Sequence, residues 1–289
     1  MIFKKQKLKI QIILKMGKYL LRFLGGLMKK KLKNKNYLIG LIMFILTLIF
    51  SYMAYIGVFF LHKYKDILEM YENPLVPDFF TFYIWIFIYI FSLLFLLLPF
   101  IKKLSMTNEE IYYEKLMPLF IFWNMANGIY VVMVNNNYLM PALIGAMAYA
   151  LILINLVKTI DQNKDFSKKY KYLITLPTGI HAGWIIFSVF TNIMMVLFEN
   201  RKDSYSTFAI IISLILLILA GAVVLFVFKE NKNQGLIIGF LFSLIGIIAR
   251  QRPSSSFQNS NYIIFIGAII LFIITSLVAI YIFKFIKEK

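Results

Sequence analysis

The chain has 289 residues, 61% of them hydrophobic and only 15% charged, with a mean hydropathy of +0.79. Those values exclude a soluble globular domain, and the absence of cysteine excludes a disulfide framework or any thiolate site. A formal charge of +18 would point to nucleic acid in a soluble protein; in so apolar a chain it reads as membrane topology and contact with anionic lipid, with no nucleic-acid partner expected.

Residues 1–37 hold twelve Lys and Arg and no acid. Within them Leu8, Ile12, Ile13, Met16, Leu20, Phe23, Leu24 and Leu27 recur every three or four positions, with Gln11, Lys15, Lys18 and Arg22 opposite. That spacing predicts an amphipathic helix lying in the headgroup plane, its basic face towards anionic lipid. Lys29, Lys30 and Lys31 then form a cytoplasmic stop before the first span.

Eight apolar stretches follow, at about 38–61, 79–101, 116–134, 138–157, 173–198, 207–228, 234–249 and 261–283. Each is near the roughly 20 residues that cross a bilayer as a helix. The predicted fold class is therefore all-α, a polytopic membrane helical bundle of eight transmembrane helices. Segment 234–249 is the shortest and carries Gly235, Gly239 and Gly246; without it the C-terminus would move to the opposite face. With eight spans, one set of connectors and both termini carry 25 of the 31 basic residues and the other set carries six. The positive-inside bias places both termini in the cytoplasm, with Arg250 and Arg252 as an outer exception. Asn73-Pro74 and Pro77-Asp78 fix a turn that, with residues 135–137 and 199–206, makes an outer lid.

No Asp, Glu, Lys or Arg falls in the middle of a span, which argues against ion-coupled transport. The uncharged polar groups gather in the first five spans. Trp85 and Tyr89 lie one turn apart, Asn124, Asn127 and Tyr130 follow three-residue spacing, and Asn155 ends the fourth span. His181, Trp184, Ser188 and Asn192 step by three or four and form one stripe. Two readings stand side by side: hydrogen bonds between helices, each worth about 1 kcal/mol or less, or an aromatic-walled cavity for an uncharged molecule. His181 has only His62 as a fellow histidine and no carboxylate in the bundle, so neither a metal set nor an oriented general base is expected. It reads as a hydrogen-bonding cavity residue, with axial ligation of a haem-like ring as the remote alternative. No catalytic residues and no required cofactor are assigned.

These stretches resemble the tryptophan-rich sensory protein family, also called the translocator protein or peripheral benzodiazepine receptor family, in its longer bacterial form. Pro77, Trp85 and Tyr89 keep the family's intervals of eight and four through an aromatic run into the second helix. Asn127-Gly128-Ile129-Tyr130 is similar to the third helix, and Trp184, Phe187 and Asn192 keep the intervals of the fifth. Val76 stands at the first of the family's paired prolines, Tyr130 replaces a tryptophan, and His181 stands where a tyrosine is usual.

The resemblance covers residues 38–198. It implies a five-helix core there, with the basic segment 1–37 before it and three additional helices in 199–289. It further implies a pocket at Trp85, Tyr89, Asn127, Tyr130, His181, Trp184 and Asn192 for a hydrophobic or tetrapyrrole ligand such as a porphyrin, a sensory or regulatory role, and a homodimer. The alternatives are a permease for an uncharged solute and a membrane assembly partner held by the N-terminal helix.

Overall fold

A computed structural model describes residues 34–101, 104–199, 203–255 and 259–285. The amphipathic helix expected over residues 8–27 lies outside the described residues.

Among the described residues, eight helices are long and apolar enough to cross a membrane: α1 (Lys35–Ile56), α3 (Phe79–Phe100), α4 (Met106–Asn135), α5 (Leu139–Gln162), α7 (Lys171–Leu197), α8 (Thr207–Asn231), α9 (Gln234–Gln251) and α10 (Tyr262–Phe285). Two short helices lie between them, α2 (Tyr64–Met70) and α6 (Lys164–Lys169). The protein is an all-α, multi-pass membrane bundle.

Local chemistry sets the boundaries where they differ from the hydropathy pattern. The first span stops at Ile56 instead of residue 61, because Gly57 takes the left-handed conformation at φ 71° and caps the helix. The third begins at Met106 instead of 116: Ser105 caps it, and a wide turn over Ile111–Leu116 carries it into the membrane. In that turn the buried Tyr112 hydroxyl donates to the Phe95 carbonyl at 2.8 Å, tying α4 to α3. The fourth span runs on to Gln162, so Asn155 lies inside α5 on an exposed side and does not end it. The 18-residue α9 is about 27 Å long, enough for a span with little tilt.

By alternation, α1 begins and α10 ends at the same end of the bundle as α6, the basic end. The opposite, lid end carries α2, residues 136–138, and the connections before α8 and before α10.

Five spans form a ring in the order α1, α3, α7, α5, α4. Contacts are extensive between α1 and α4, α4 and α5, and α5 and α7. Helix α3 closes the ring with far fewer backbone approaches, because large side chains such as Trp85, Tyr89 and Phe95 stand between it and its neighbours. Among the described residues, the most extensive helix contact lies outside the ring, between α7 and α9. Gly179 and Gly183 on α7 face Gly235 and Gly239 on α9. A Cβ at Gly183 would strike the Leu236 carbonyl, at Gly235 the Leu176 carbonyl, and at Gly239 the Ile180 carbonyl. Two Gly-x-x-x-Gly faces thus let the backbones touch, the main source of helix association where lipid removes the hydrophobic driving force. Asn233 secures the seam, donating to the Thr175 carbonyl at 2.8 Å while its Oδ1 accepts from the Gly235 amide at 2.9 Å. Helices α8 and α10 pack behind α9 and α7.

Candidate functional site

The ring interior is built from three side-chain groups. On α3, Trp85 and Tyr89 stack with centroids 5.7 Å apart. The Tyr89 hydroxyl donates to Ser51 Oγ on α1 at 2.7 Å, and the buried Asn127 amide of α4 lies beside it. Asn127 Oδ1 has no hydrogen-bond partner among the described residues.

His181 of α7 forms the second group. Its Nε2 is 2.6 Å from the Tyr149 hydroxyl of α5, a bond strengthened by its dry surroundings. Three rings meet it edge-on: Trp123 at 5.0 Å, Tyr149 at 5.4 Å and Trp85 at 6.0 Å. Axial ligation of a metal through Nε2 would require the Tyr149 bond to break.

The third group lies nearer the lid. The Tyr130 hydroxyl of α4 is 3.3 Å from Asn192 Nδ2 of α7 and 3.4 Å from the Tyr64 hydroxyl of α2. Asn192 Nδ2 also donates to the Ser188 carbonyl at 2.8 Å, which fixes the amide orientation.

Six of the seven residues singled out in the sequence, Trp85, Tyr89, Asn127, Tyr130, His181 and Asn192, therefore share the ring interior. Trp184 is buried but turned aside, edge-on to Phe82 at 5.6 Å and against Phe242 of α9 at 6.4 Å. It walls a void of ≈ 20 Å³ beneath the lid, with Tyr64, Phe82, Ser188 and Asn192 also lining it. A second void of ≈ 10 Å³ lies towards the basic end, between Ile88, Ser92 and Phe95 of α3, Trp123 of α4, and Thr178 and His181 of α7. Both follow the seam between α3 and α7, and each has room for about one water. Around them the rings of Trp85, Trp123 and Tyr149 pack edge-on against His181.

Sequence spacing missed Ser51, Tyr64, Phe82, Trp123 and Tyr149. Trp123 immediately precedes the Asn124 of the amide face, and Tyr149 sits alone in the run Ala146-Met147-Ala148-Tyr149-Ala150. Both were detectable only as large aromatics in spans already assigned. Tyr64 belongs to a connector, so a span-by-span reading passes over it.

The lid is residues 71–78, which dip into the mouth of the ring. Asn73, Leu75 and Val76 are fully buried, and the Leu75 carbonyl accepts from Thr191 Oγ1 of α7 at 3.2 Å. The connection between α9 and α10 joins this lid, a contribution the sequence did not reveal. Arg250, an exception to the charge pattern, is neutralised there by Glu72.

Among the described residues, no three His, Asp or Glu side chains gather as a metal set. These features define a class: a multi-pass helical membrane protein with an uncharged, aromatic-walled interior under a lid. The chain belongs to the TSPO-like protein family, which matches residues 37–281. That match runs through all eight spans, beyond residues 38–198 where the motif resemblance is concentrated. No curated protein and no solved structure matches the chain.

Proposed function

We propose that the ring interior binds an uncharged hydrophobic small molecule, with a tetrapyrrole such as a porphyrin as the ligand class, and that occupancy serves a sensory or regulatory role. The observation carrying this reading is convergence. Trp85 and Trp123 meet uncharged hydrogen-bonding groups from all five ring spans, and Trp184 walls the adjoining void beneath the lid, with no formally charged side chain among the described residues that line either void.

The rings of Trp85, Trp123 and Trp184 offer π faces and edges to a flat conjugated ligand. Asn127 Oδ1, buried without a partner, offers an acceptor to a pyrrole N–H or hydroxyl, and a ligand donor there removes a desolvation penalty. The site residues would thus be Trp85, Tyr89, Asn127, Tyr130, His181, Trp184 and Asn192, supplemented by Trp123 and Tyr149. A molecule larger than the two voids requires the lid to lift or α3 to part from α7, where backbone contact is sparse and the filling side chains rotate about single bonds. The charge distribution orients the basic end to the cytoplasm.

Titration of protoporphyrin IX into the detergent-solubilised protein tests the proposal. Tryptophan fluorescence should fall to saturation in the micromolar range, Trp184→Phe should reduce the amplitude, and Asn127→Ala should weaken binding by about tenfold. No saturable quenching by a correctly folded protein rejects the tetrapyrrole assignment.

A further inference from the structure

The lid end of α9 stops in Arg250 and Gln251, and both side chains reach away from their own helix into the lid. The Arg250 guanidinium pairs with Glu72; the arginine side chain is 7% exposed and the glutamate 26%. The guanidinium carbon also lies 5.6 Å from the centre of the Phe79 ring, a cation–π contact at the start of α3. The Tyr205 hydroxyl is buried beside the pair, its acidity reduced first by burial and then by the Glu72 charge.

Gln251 makes a second fastening. Its Nε2 donates to the Pro74 carbonyl at 3.2 Å, and its Oε1 accepts from the Asn261 amide at 2.8 Å. One turn earlier, the Gly246 carbonyl accepts from the Asp78 amide at 3.0 Å. A Cβ on Gly246 would crowd Thr81 Cγ2 at 2.5 Å and Pro77 at 2.7 Å, so the lid is pressed against bare backbone. Asn259 adds a contact to the other oxygen of Glu72 at 3.4 Å.

Against this, among the described residues the lid's bonds to the ring itself are few. Thr191 holds the Leu75 carbonyl, and Tyr64 of the neighbouring α2 meets Tyr130. A nearly buried guanidinium is costly to desolvate, and helix packing alone gives α9 no reason to end in one. Its geometry instead joins two segments 178 residues apart.

We propose that Arg250 and Gln251 form a latch that holds the lid shut over the ring interior, so that the three C-terminal helices set access to the ligand site. In its functional meaning the latch rests on the binding reading above. The lid position itself is measurable without any ligand.

The absence of native cysteine permits a direct test. Val76→Cys puts one thiol at a lid position that is 0% exposed. In lipid nanodiscs, which leave both faces accessible, this thiol should react slowly with a polar maleimide. Adding Arg250→Ala or Glu72→Gln should accelerate labelling by about tenfold or more, because each change breaks a largely desolvated ion pair. Arg250→Lys, which keeps the charge but loses the planar fork, should give a smaller acceleration. Arg252→Ala, altering an exposed neighbour, should leave the rate unchanged. Should Arg250→Ala fail to fold by size-exclusion chromatography, Glu72→Gln carries the test, since it changes a partly exposed group isosterically. Labelling of both Glu72→Gln and any folded Arg250 variant at the parent rate overturns the latch. Protoporphyrin quenching is scored separately: a latch that opens in a protein that never binds the porphyrin leaves this inference standing and removes the binding proposal.

Discussion

Adding one methyl group to α9 by Gly239→Ala tests whether the C-terminal helices are fused to the ring. The new Cβ would overlap the Ile180 carbonyl oxygen and lie 2.9 Å from its carbon and 3.1 Å from the Ile180 Cα. All three atoms belong to helix backbone, so no side chain can rotate away. The helices must instead part by roughly 1 Å, which forfeits up to about half of the dispersion energy of each contact along the seam. Overpacking of this kind costs about 1–3 kcal/mol, and rigid backbone on both sides places Gly239 at the upper end. Alanine's better helix propensity returns about 1 kcal/mol, for a net loss of about 2 kcal/mol. Thermal unfolding of the detergent-solubilised protein, followed by fluorescence, should show a Tm lower by about 2–4 °C per kcal/mol. Gly145→Ala is the control, because its Cβ would meet Tyr130 at an ordinary 3.8 Å. If Gly239→Ala melts with or above the parent while Gly145→Ala behaves alike, the backbone contact between α7 and α9 is wrong.

Further outcomes follow from individual contacts. Tyr149→Phe removes the hydroxyl from His181 and should cost about 1–3 kcal/mol in thermal or denaturant unfolding. Tyr37→Phe deletes the 2.9 Å bond from its hydroxyl to the Leu96 carbonyl, between α1 and α3, and should cost about 0.5–1.5 kcal/mol by the same assay. Gly57→Ala forces a Cβ into the left-handed region against Lys63 and should destabilise the turn into the lid by about 1 kcal/mol. Tyr205 has its folded-state pKa raised above the ordinary 10.0, so its contribution is fully present below that value and declines as pH rises beyond it. Stability should therefore fall less steeply above pH 10.0 in Tyr205→Phe than in the parent.

The eight spans were legible because hydrocarbon-length apolar runs carry their own signal, strong enough to identify even α9. Their ends were less legible. Gly57 stops α1 inside a run that remains apolar through Leu61, and the α4 turn over Ile111–Leu116 hides Glu114 and Lys115 within a helix. Spacing along single helices brought Trp85 with Tyr89 and His181 with Asn192, but it could not show which partners from other helices face them. Tyr149 and Trp123 needed the bundle. Gly235 and Gly239 weakened the apolar pattern of α9, although with Gly179 and Gly183 they spelled out an interface where backbone meets backbone. Arg250 broke the charge rule because its counterion lies on the first connector, a relation no local window contains.

The three tryptophans permit a final measurement. Single-tryptophan proteins retaining Trp85, Trp123 or Trp184, the others changed to phenylalanine, can each be titrated with protoporphyrin IX. One ligand held in the shared interior should quench all three to saturation with a common midpoint. Quenching that rises linearly without saturation, or that matches free tryptophan in the same micelles, would contradict a bound tetrapyrrole.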